Sequence, residues 1–265
     1  FLPKEMIDEL KPFKINKKVF LKGNLLLDFY TMKNSYFKGF ITSKNIELQD
    51  VVIENIQCLV TYDHSNVKIE NFSLADAAIL MKFEQMQVSL ETDSWMNFSV
   101  KNILVNDFRP SLMTKVQQPK GKIKPFLIRN LKIEELKGNL AKADEIKGKG
   151  VLQFINTFKR ENHLIDIPIE FISRLGLDIG LLIPVRGEID IEIKEKKIWL
   201  KELKNSYSDG KRSHFYFPSG KPCYVDFDGN MHIDVKMKQF VLFKITQPFT
   251  LSLRGTLENP SFSLK

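Results

Sequence analysis

The side chains that most often carry out chemistry are sparse in this sequence, and they form no recognisable catalytic or metal-binding pattern. No two histidines lie close enough on one helix or strand to suggest a zinc pair. His232 and Asp234 would share one face of a strand and could hold a metal ion, but a solvated polar face explains them better. The motifs HExxH, CxxC, GxSxG and GxGxxG are all absent. The four histidines are His64, His163, His214 and His232.

The two cysteines, Cys58 and Cys223, suggest neither a disulfide framework nor a nucleophile. A nucleophilic set of Cys223, His232 and Asp226 can be imagined. Residue alternation, however, places Cys223 on an apolar strand face and the other two on the opposite, polar face. We therefore expect no enzymatic activity, no catalytic residues, no metal and no cofactor.

Alternation is the dominant pattern of the chain, and it is clearest from Cys223 to Met237. Apolar side chains occupy the odd positions apart from Gly229, whereas the even positions are polar apart from Tyr224. A period of two predicts a β-strand with one apolar and one polar face. The strand would be unusually long unless the chain bends or breaks at Gly229.

Composition and charge limit the class of protein. The 265 residues are 43% hydrophobic and 27% charged, which indicates a globular chain of one large or two ordinary domains. The net charge of +8 suits an anionic partner such as nucleic acid, an acidic membrane surface or lipid headgroups, although solubility alone also explains it. Basic residues alternate with acidic ones, and the aromatic residues lie on the apolar face, so we expect no nucleic-acid partner.

A degenerate repeat runs through the first half of the chain. Its template is asparagine, apolar, any, apolar, any, acid, and the copies begin at Asn45, Asn71, Asn102 and Asn130. The similar distances between the first residues of the copies predict stacked units, each of about one hairpin. Coincidence is the alternative, because asparagine and aspartate favour strand ends in any β-rich sequence.

One or two short helices are expected to interrupt the strands. Pro3–Leu10 is one candidate. The segment 168–182 is the better one, and it would either pack on the sheet or touch a membrane surface. A soft boundary near the glycines Gly148 and Gly150 divides the chain into segments 1–147 and 148–265, unless both belong to one continuous unit. No apolar run is long enough to span a membrane, and the start at Phe1 suggests a processed product or a piece of a longer protein.

The C-terminal half resembles AsmA-like and TamB-like envelope proteins. Arg254–Pro260, followed by a short alternating strand, is similar to the ending of those proteins. Gly148–Phe154 is similar to their GxGxLxF strand, and the segment around Pro184–Gly187 fits the entry to their final sheet. The resemblance implies an elongated, twisted antiparallel sheet that folds into an open hydrophobic groove, or half-pipe.

The resemblance also implies a function and a location. Such proteins are thought to carry phospholipid acyl chains across the periplasm of Gram-negative bacteria, anchored in the inner membrane by an N-terminal segment and directed towards the outer membrane. The expected partners are phospholipid or another acyl lipid, a membrane surface and an envelope protein. From strand parity, the residues expected to line the lipid groove are Leu25, Leu27, Phe29, Phe72, Leu74, Ile103, Val105, Leu131, Ile133, Ile189, Ile191, Ile193, Val225, Phe227, Met231, Ile233, Val235, Phe243, Ile245, Leu251 and Leu253.

Two other functions fit the same sequence. The strands could form a closed sandwich that buries its apolar faces against each other. The protein would then be a structural scaffold, or would assist outer-membrane assembly through protein contacts. An anionic-polymer binder is the third reading, and its binding would depend steeply on salt.

Overall fold

The protein is almost entirely β-structure over the residues that the computed structural model describes, which are 19–28, 30–31, 34–48, 51–76, 79–108, 127–155, 184–211, 213–239, 248–256 and 260–264. Helical structure within these ranges is limited to short 3-10 turns such as Thr92–Ser94 and Asp209–Lys211. The two predicted helices, Pro3–Leu10 and 168–182, lie outside the described residues. The strands are β1 (Val19–Leu26), β2 (Tyr36–Leu48), β3 (Val51–Asp63), β4 (Asn66–Ala75), β5 (Leu80–Ser89), β6 (Asn97–Phe108), β7 (Leu127–Asn139), β8 (Lys142–Ile155), β9 (Arg186–Lys194), β10 (Lys197–Tyr207), β11 (Ser213–Tyr216), β12 (Tyr224–Asp226), β13 (Met231–Gln239), β14 (Pro248–Gly255) and β15 (Pro260–Leu264).

All fifteen strands belong to one antiparallel sheet, in which neighbours along the chain are neighbours in space. The exception is the short β12, which pairs with both β10 and β13. Tight turns enforce this order. His64–Ser65 and Glu195–Lys196 both have positive φ at both residues, which matches the right-handed twist of the flanking strands. The prediction of a mainly β, antiparallel fold is therefore confirmed.

The predicted boundary at residues 147 and 148 falls inside β8. This strand pairs with β7 on one side and β9 on the other. The described strands of segments 1–147 and 148–265 therefore lie in one continuous sheet.

The alternating stretch Cys223–Met237 is a hairpin rather than one long strand. The chain reverses between β12 and β13, with Gly229 at a φ of 84°. The Asp226 carboxylate fastens this turn, because its Oδ1 accepts the backbone N–H of Asn230 at 2.7 Å and its Oδ2 accepts the Asn230 amide at 2.9 Å. Alternation survives on both arms, since Val225 pairs with Met231 across the hairpin. Gly229 thus breaks the strand, which is one of the two alternatives to a single long strand that the sequence left open.

The largest core cluster lies on one face of β5 to β9. Its buried members come from four strands, β5, β6, β7 and β9, and from positions that pair across the sheet, such as Ile103 with Ile133. Phe72 and Phe83 stack at its margin with ring centroids 4.4 Å apart. The cluster consists of Phe83, Val88, Phe98, Val100, Ile103, Val105, Ile133 and Ile193.

Two glycines of β8 let the side chains of its neighbours close over this strand. A Cβ on Gly150 would lie 2.3 Å from the carbonyl oxygen of Lys132, and one on Gly148 would lie 2.9 Å from Leu136 Cδ1. Gly150 pairs with Ile133 on β7 and with Ile191 on β9. Because β8 has no side chain at these positions, apolar groups of β7 and β9 approach each other above it.

Replacing Gly150 with alanine should therefore destabilise the fold. The added methyl group has no space beside the β7 backbone, so we expect Gly150→Ala to lower the free energy of unfolding by about 1–3 kcal/mol. Urea denaturation followed by circular dichroism measures this change. Lys149→Ala, at the exposed adjacent position, is the matched control and should change stability by less than about 0.5 kcal/mol. Equal stability of the two variants would contradict this packing.

Candidate functional site

The candidate site is the side of the sheet that carries the core cluster, called here the apolar face; the opposite side is the polar face. Several strands keep their apolar residues on this face across an interruption in the period of two. In β4, Ile69 and Phe72 both pack against the core cluster although they are three residues apart. The residues between them, Glu70 and Asn71, form what we call an outward pair: two consecutive residues directed away from the apolar face.

Outward pairs are aligned across four neighbouring strands. In β6, Val100 and Ile103 both belong to the core cluster, so Lys101 and Asn102 form the outward pair. Asn71 and Asn102 have φ values of 52° and 53°, in the left-handed region that asparagine tolerates better than most residues. Corresponding pairs occur in β5 and β7, and cross-strand pairing brings all four into one line: Glu70–Asn71, Glu84–Gln85, Lys101–Asn102 and Glu134–Glu135.

A second line of outward pairs lies near the end of β6 and the start of β7. In β6, Val105 and Phe108 both contact the core cluster and enclose the pair Asn106–Asp107. Asn106 pairs with Asn130 of β7, and the Asn130 amide donates a hydrogen bond to Asn106 Oδ1 at 2.9 Å. Asp107 has a φ of 50°. The period of two in β6 is therefore interrupted twice, and each time the apolar residues remain on the apolar face.

These lines contain three of the four asparagines that begin the copies of the repeat. Asn71 and Asn102 lie in the first line and Asn130 lies in the second, all within strands. These three asparagines therefore do not mark strand ends. The expectation of one hairpin per repeat holds from β2 to β4 and β6, which contain Asn45, Asn71 and Asn102. It fails for the last copy, because Asn130 lies on β7 rather than β8.

The left-handed conformation of Asn102 can be tested directly by substitution. Asn102→Ala should cost about 1–2 kcal/mol of stability, because alanine is strained in the left-handed region and also loses the hydrogen bond that the Asn102 amide donates to Glu84 Oε2. Asn102→Gly loses the same hydrogen bond but accepts the backbone angle, so it should be the more stable variant. Thermal unfolding of the two proteins measures the difference. An alanine variant as stable as the glycine variant would show that the backbone angle is unimportant.

The structure separates the predicted groove-lining residues by exposure. The central ones are buried: Ile103, Val105, Ile133, Ile191 and Ile193. A larger group on β4, β7, β9, β12, β13 and β14 is half-buried: Phe72, Leu74, Leu131, Ile189, Val225, Met231, Ile233, Val235, Leu251 and Leu253. Leu25, Leu27 and Phe227 are exposed, and Phe227 lies in the β12–β13 turn rather than in a strand. Phe29, Phe243 and Ile245 lie outside the described residues.

Sequence reasoning missed the contribution of β5 to this face. Met81, Phe83, Met86 and Val88 all belong to or contact the core cluster. The outward pair Glu84–Gln85 shifts their parity in mid-strand, so a strict period of two fails over Leu80–Ser89. The signal that could have identified β5 is two short alternating runs separated by two polar residues, as in the strands beside it.

The polar face carries ion pairs between neighbouring positions. Lys204 Nζ lies 2.5 Å from Asp190 Oδ2, and Lys201 Nζ lies 2.7 Å from Glu192 Oε2. The hydrogen bond from Lys201 holds the pKa of Glu192 below its usual value. A shallow depression of about 420 Å³ on this face is lined mainly by such alternating charges. Exposed pairs of this kind contribute little to stability, and their effect here is a solvated surface.

The residues considered for chemistry are not brought together. No group of three or more histidine, cysteine or acidic side chains suited to a metal ion occurs in the described part of the chain. His232 stacks on Tyr224 with ring centroids 5.5 Å apart, whereas Asp234 pairs with Arg254. Cys223 is buried, which raises the pKa of its thiol.

Asp234 is a buried carboxylate held by charged and polar neighbours. Arg254 donates from Nη2 to Asp234 Oδ1 at 2.7 Å and from Nη1 to the Ile233 and Leu253 carbonyl oxygens at 2.9 and 2.8 Å. Burial acts to raise the pKa of Asp234, but hydrogen bonds from Ser252 and Arg254 outweigh it and hold the pKa below its usual value. The pair therefore fastens β13 to β14 while Asp234 is ionised.

This pair should make the fold sensitive to acid. The pKa of Asp234 is lower in the folded protein than the unfolded value of about 3.9, so its stabilising effect is complete above that pH and is lost as the pH falls towards the folded pKa. We expect Asp234→Asn to be less stable than the wild type near neutral pH and to lose less stability on acidification. Urea midpoints between about pH 6 and pH 3 measure both effects. Asp228→Asn, in the exposed turn, is the control; a parallel pH dependence for wild type and Asp234→Asn would exclude this role.

Comparison with known proteins gives no relative, since no family model, curated protein or solved structure matches the chain. The described residues also contain no helix with the length and apolar character that crossing a bilayer requires.

Proposed function

We propose that this protein binds the acyl chains of phospholipids along its apolar face and carries them between membranes without catalysis. One observation supports this function above all: a single sheet of fifteen strands keeps apolar residues on the same face from β4 to β14. The opposite face carries charged side chains that pair with one another on β4, β9 and β10. An acyl chain needs non-directional burial, and an uninterrupted apolar surface supplies it.

The outward pairs favour a groove as the form of this surface. Each pair adds one residue to the polar face without adding one to the apolar face. A left-handed or bulged residue also bends its strand. Where four neighbouring strands carry such pairs on one line, the longer polar side lies outside the bend, which makes the apolar face concave. A concave face would shield the acyl chains from water on more than one side.

The energetics explain why such a protein needs no catalytic group. A lipid that leaves a bilayer exposes its methylene groups to water at a cost of roughly 0.8 kcal/mol each. Contact with apolar side chains offsets that cost along the path. The headgroup would stay in water at the rim, near the lysines of the polar face. The direction of movement would follow the lipid gradient or an external energy source.

The resemblance of residues 148–265 to AsmA-like and TamB-like proteins suggests the setting. In that setting the protein would act in the periplasm of a Gram-negative bacterium, with lipid movement related to the outer membrane. The C-terminal strands β14 and β15 and the glycine-bearing β8 contain the segments that carry the resemblance.

A scaffold is the second candidate, and the burial of the core cluster favours it. Ile103 and Ile133, at the centre of the apolar face, are only 5% and 6% exposed. If protein atoms already cover this face completely, it stabilises a closed fold and leaves no room for lipid. The protein would then act through contacts with an envelope partner.

Site-specific photo-crosslinking can decide between the two candidates. Leu131 is half-buried on the apolar face, whereas its neighbour Lys132 is exposed on the polar face. A benzoyl-phenylalanine at position 131 should form an adduct with phospholipid during expression in a Gram-negative host, and one at position 132 should not. Mass spectrometry of the purified protein identifies the adduct. An absence of lipid at position 131, together with a protein adduct, would favour the scaffold.

A further inference from the structure

The β1–β2 hairpin exposes apolar side chains on both of its faces, which the other described strands do not do. Leu25 lies on the apolar face of the sheet, because successive cross-strand pairs through Phe37 and Tyr62 connect it to Val67, which packs against the core cluster. Leu26 is directed to the opposite face and is 64% exposed, and Phe40 on β2 is 57% exposed. The exposed large apolar residues of this hairpin are Phe20, Leu21, Leu25, Leu26, Leu27, Tyr30 and Phe40.

Asp28 organises the tip of the hairpin. Its Oδ1 accepts the backbone N–H groups of Tyr30 at 2.8 Å and Thr31 at 3.1 Å, and its Oδ2 accepts the Asn34 amide at 2.9 Å. The Asp28 N–H donates to Ser35 Oγ at 3.0 Å. These hydrogen bonds lower the pKa of Asp28, that from Asn34 most of all. Asp28 therefore fixes the described residues of the tip, where Tyr30 is fully exposed and Leu26 and Leu27 are also exposed.

The hairpin is also basic. Residues 19–44 contain four lysines and one acid. Lys22, Lys38 and Lys44 are exposed on its strands, whereas the acid is Asp28, whose carboxylate is engaged in the turn. A basic element with exposed leucine and aromatic side chains complements the interface of an anionic bilayer.

We propose that the tip of the β1–β2 hairpin inserts into the surface of an anionic lipid bilayer and docks the sheet there. A bilayer interface surrounds an inserted element, so it can cover Leu25 and Leu26 on opposite faces at once. A second copy that covers one face would leave the other exposed. Tyr30 suits the interface because its ring is apolar and its hydroxyl group can remain hydrated. The docking site deepens the proposed lipid transfer by naming the membrane contact of this end of the sheet.

Vesicle flotation tests the docking site. The full chain should bind vesicles of phosphatidylcholine and phosphatidylglycerol, and Leu26→Glu and Tyr30→Glu should each weaken binding roughly tenfold. Leu140→Glu is the matched control, because Leu140 is 49% exposed in the β7–β8 turn, away from the hairpin. This variant should bind like the wild type. Unchanged melting temperatures would show that all three variants fold.

The lysines make a separate prediction for the same assay. The double variant Lys22→Gln, Lys38→Gln should lose at least tenfold in binding to the anionic vesicles and should bind pure phosphatidylcholine vesicles like the wild type.

Two results would overturn the docking site. The first is wild-type affinity of both Leu26→Glu and Tyr30→Glu for the vesicles. The second is a wild-type dimer, seen by light scattering, that Leu26→Glu dissociates, because a second copy would then occupy the hairpin. Measuring the lipid bound to the purified protein distinguishes failure of the docking site from failure of the proposed lipid transfer, on which the docking site rests. A Leu26→Glu protein that still carries lipid but no longer floats retains the transfer face and lacks only the membrane contact.

Discussion

Each position in a β-strand directs its side chain to one face or the other, so a sheet with one apolar face requires every strand to maintain the same parity. That constraint governs this molecule. A one-residue slip in a single strand would turn its apolar residues into water and its charges towards the core. The burial of Ile103, Ile133 and Ile193 from three different strands shows that parity is maintained over long distances in the sequence. Hairpins with tight turns pair strands that are adjacent in the sequence. The described residues therefore keep this register without a central helix.

The outward pairs show how several strands maintain that parity across a break in the period of two. Asn71 and Asn102 adopt left-handed backbone angles at one line across the sheet, and the strands beside them match the same step with Glu84–Gln85 and Glu134–Glu135. Because every strand on the line takes the step together, the ladder continues and the apolar face stays whole. The glycines of β8 act on the apolar face, where Gly148 and Gly150 leave space for the side chains of β7 and β9. The outward pairs thus add residues to the polar face, and the glycines leave space on the apolar face.

Alternation predicted the β-strands and, in most of them, the residues of the apolar face, because a period of two is a local property of the sequence. It could not locate the reversal at Gly229 with certainty, since both arms of the β12–β13 hairpin keep the same parity and the turn differs only in its backbone angles. It missed β5 because the pair Glu84–Gln85 inverts the parity in mid-strand. The repeat was visible in the sequence, but the left-handed backbone of Asn71 and Asn102 was not, because such an asparagine inside a strand and an asparagine at a strand end look alike. The exposure of the β1–β2 hairpin depends on tertiary surroundings, which no local pattern encodes.

Occupancy of the apolar face by lipid is the central claim, and native mass spectrometry of the gently purified protein tests it most directly. The proposed function predicts a mass increase equal to one or more phospholipids, which organic extraction removes and chromatography identifies. It also predicts that Ile233→Asp, at a half-buried position on the apolar face, abolishes the mass increase. A substitution of Lys236 on the polar face should preserve the mass increase. A protein that carries no lipid and takes none up from labelled vesicles would contradict the claim, because the apolar face would then be closed upon the protein itself.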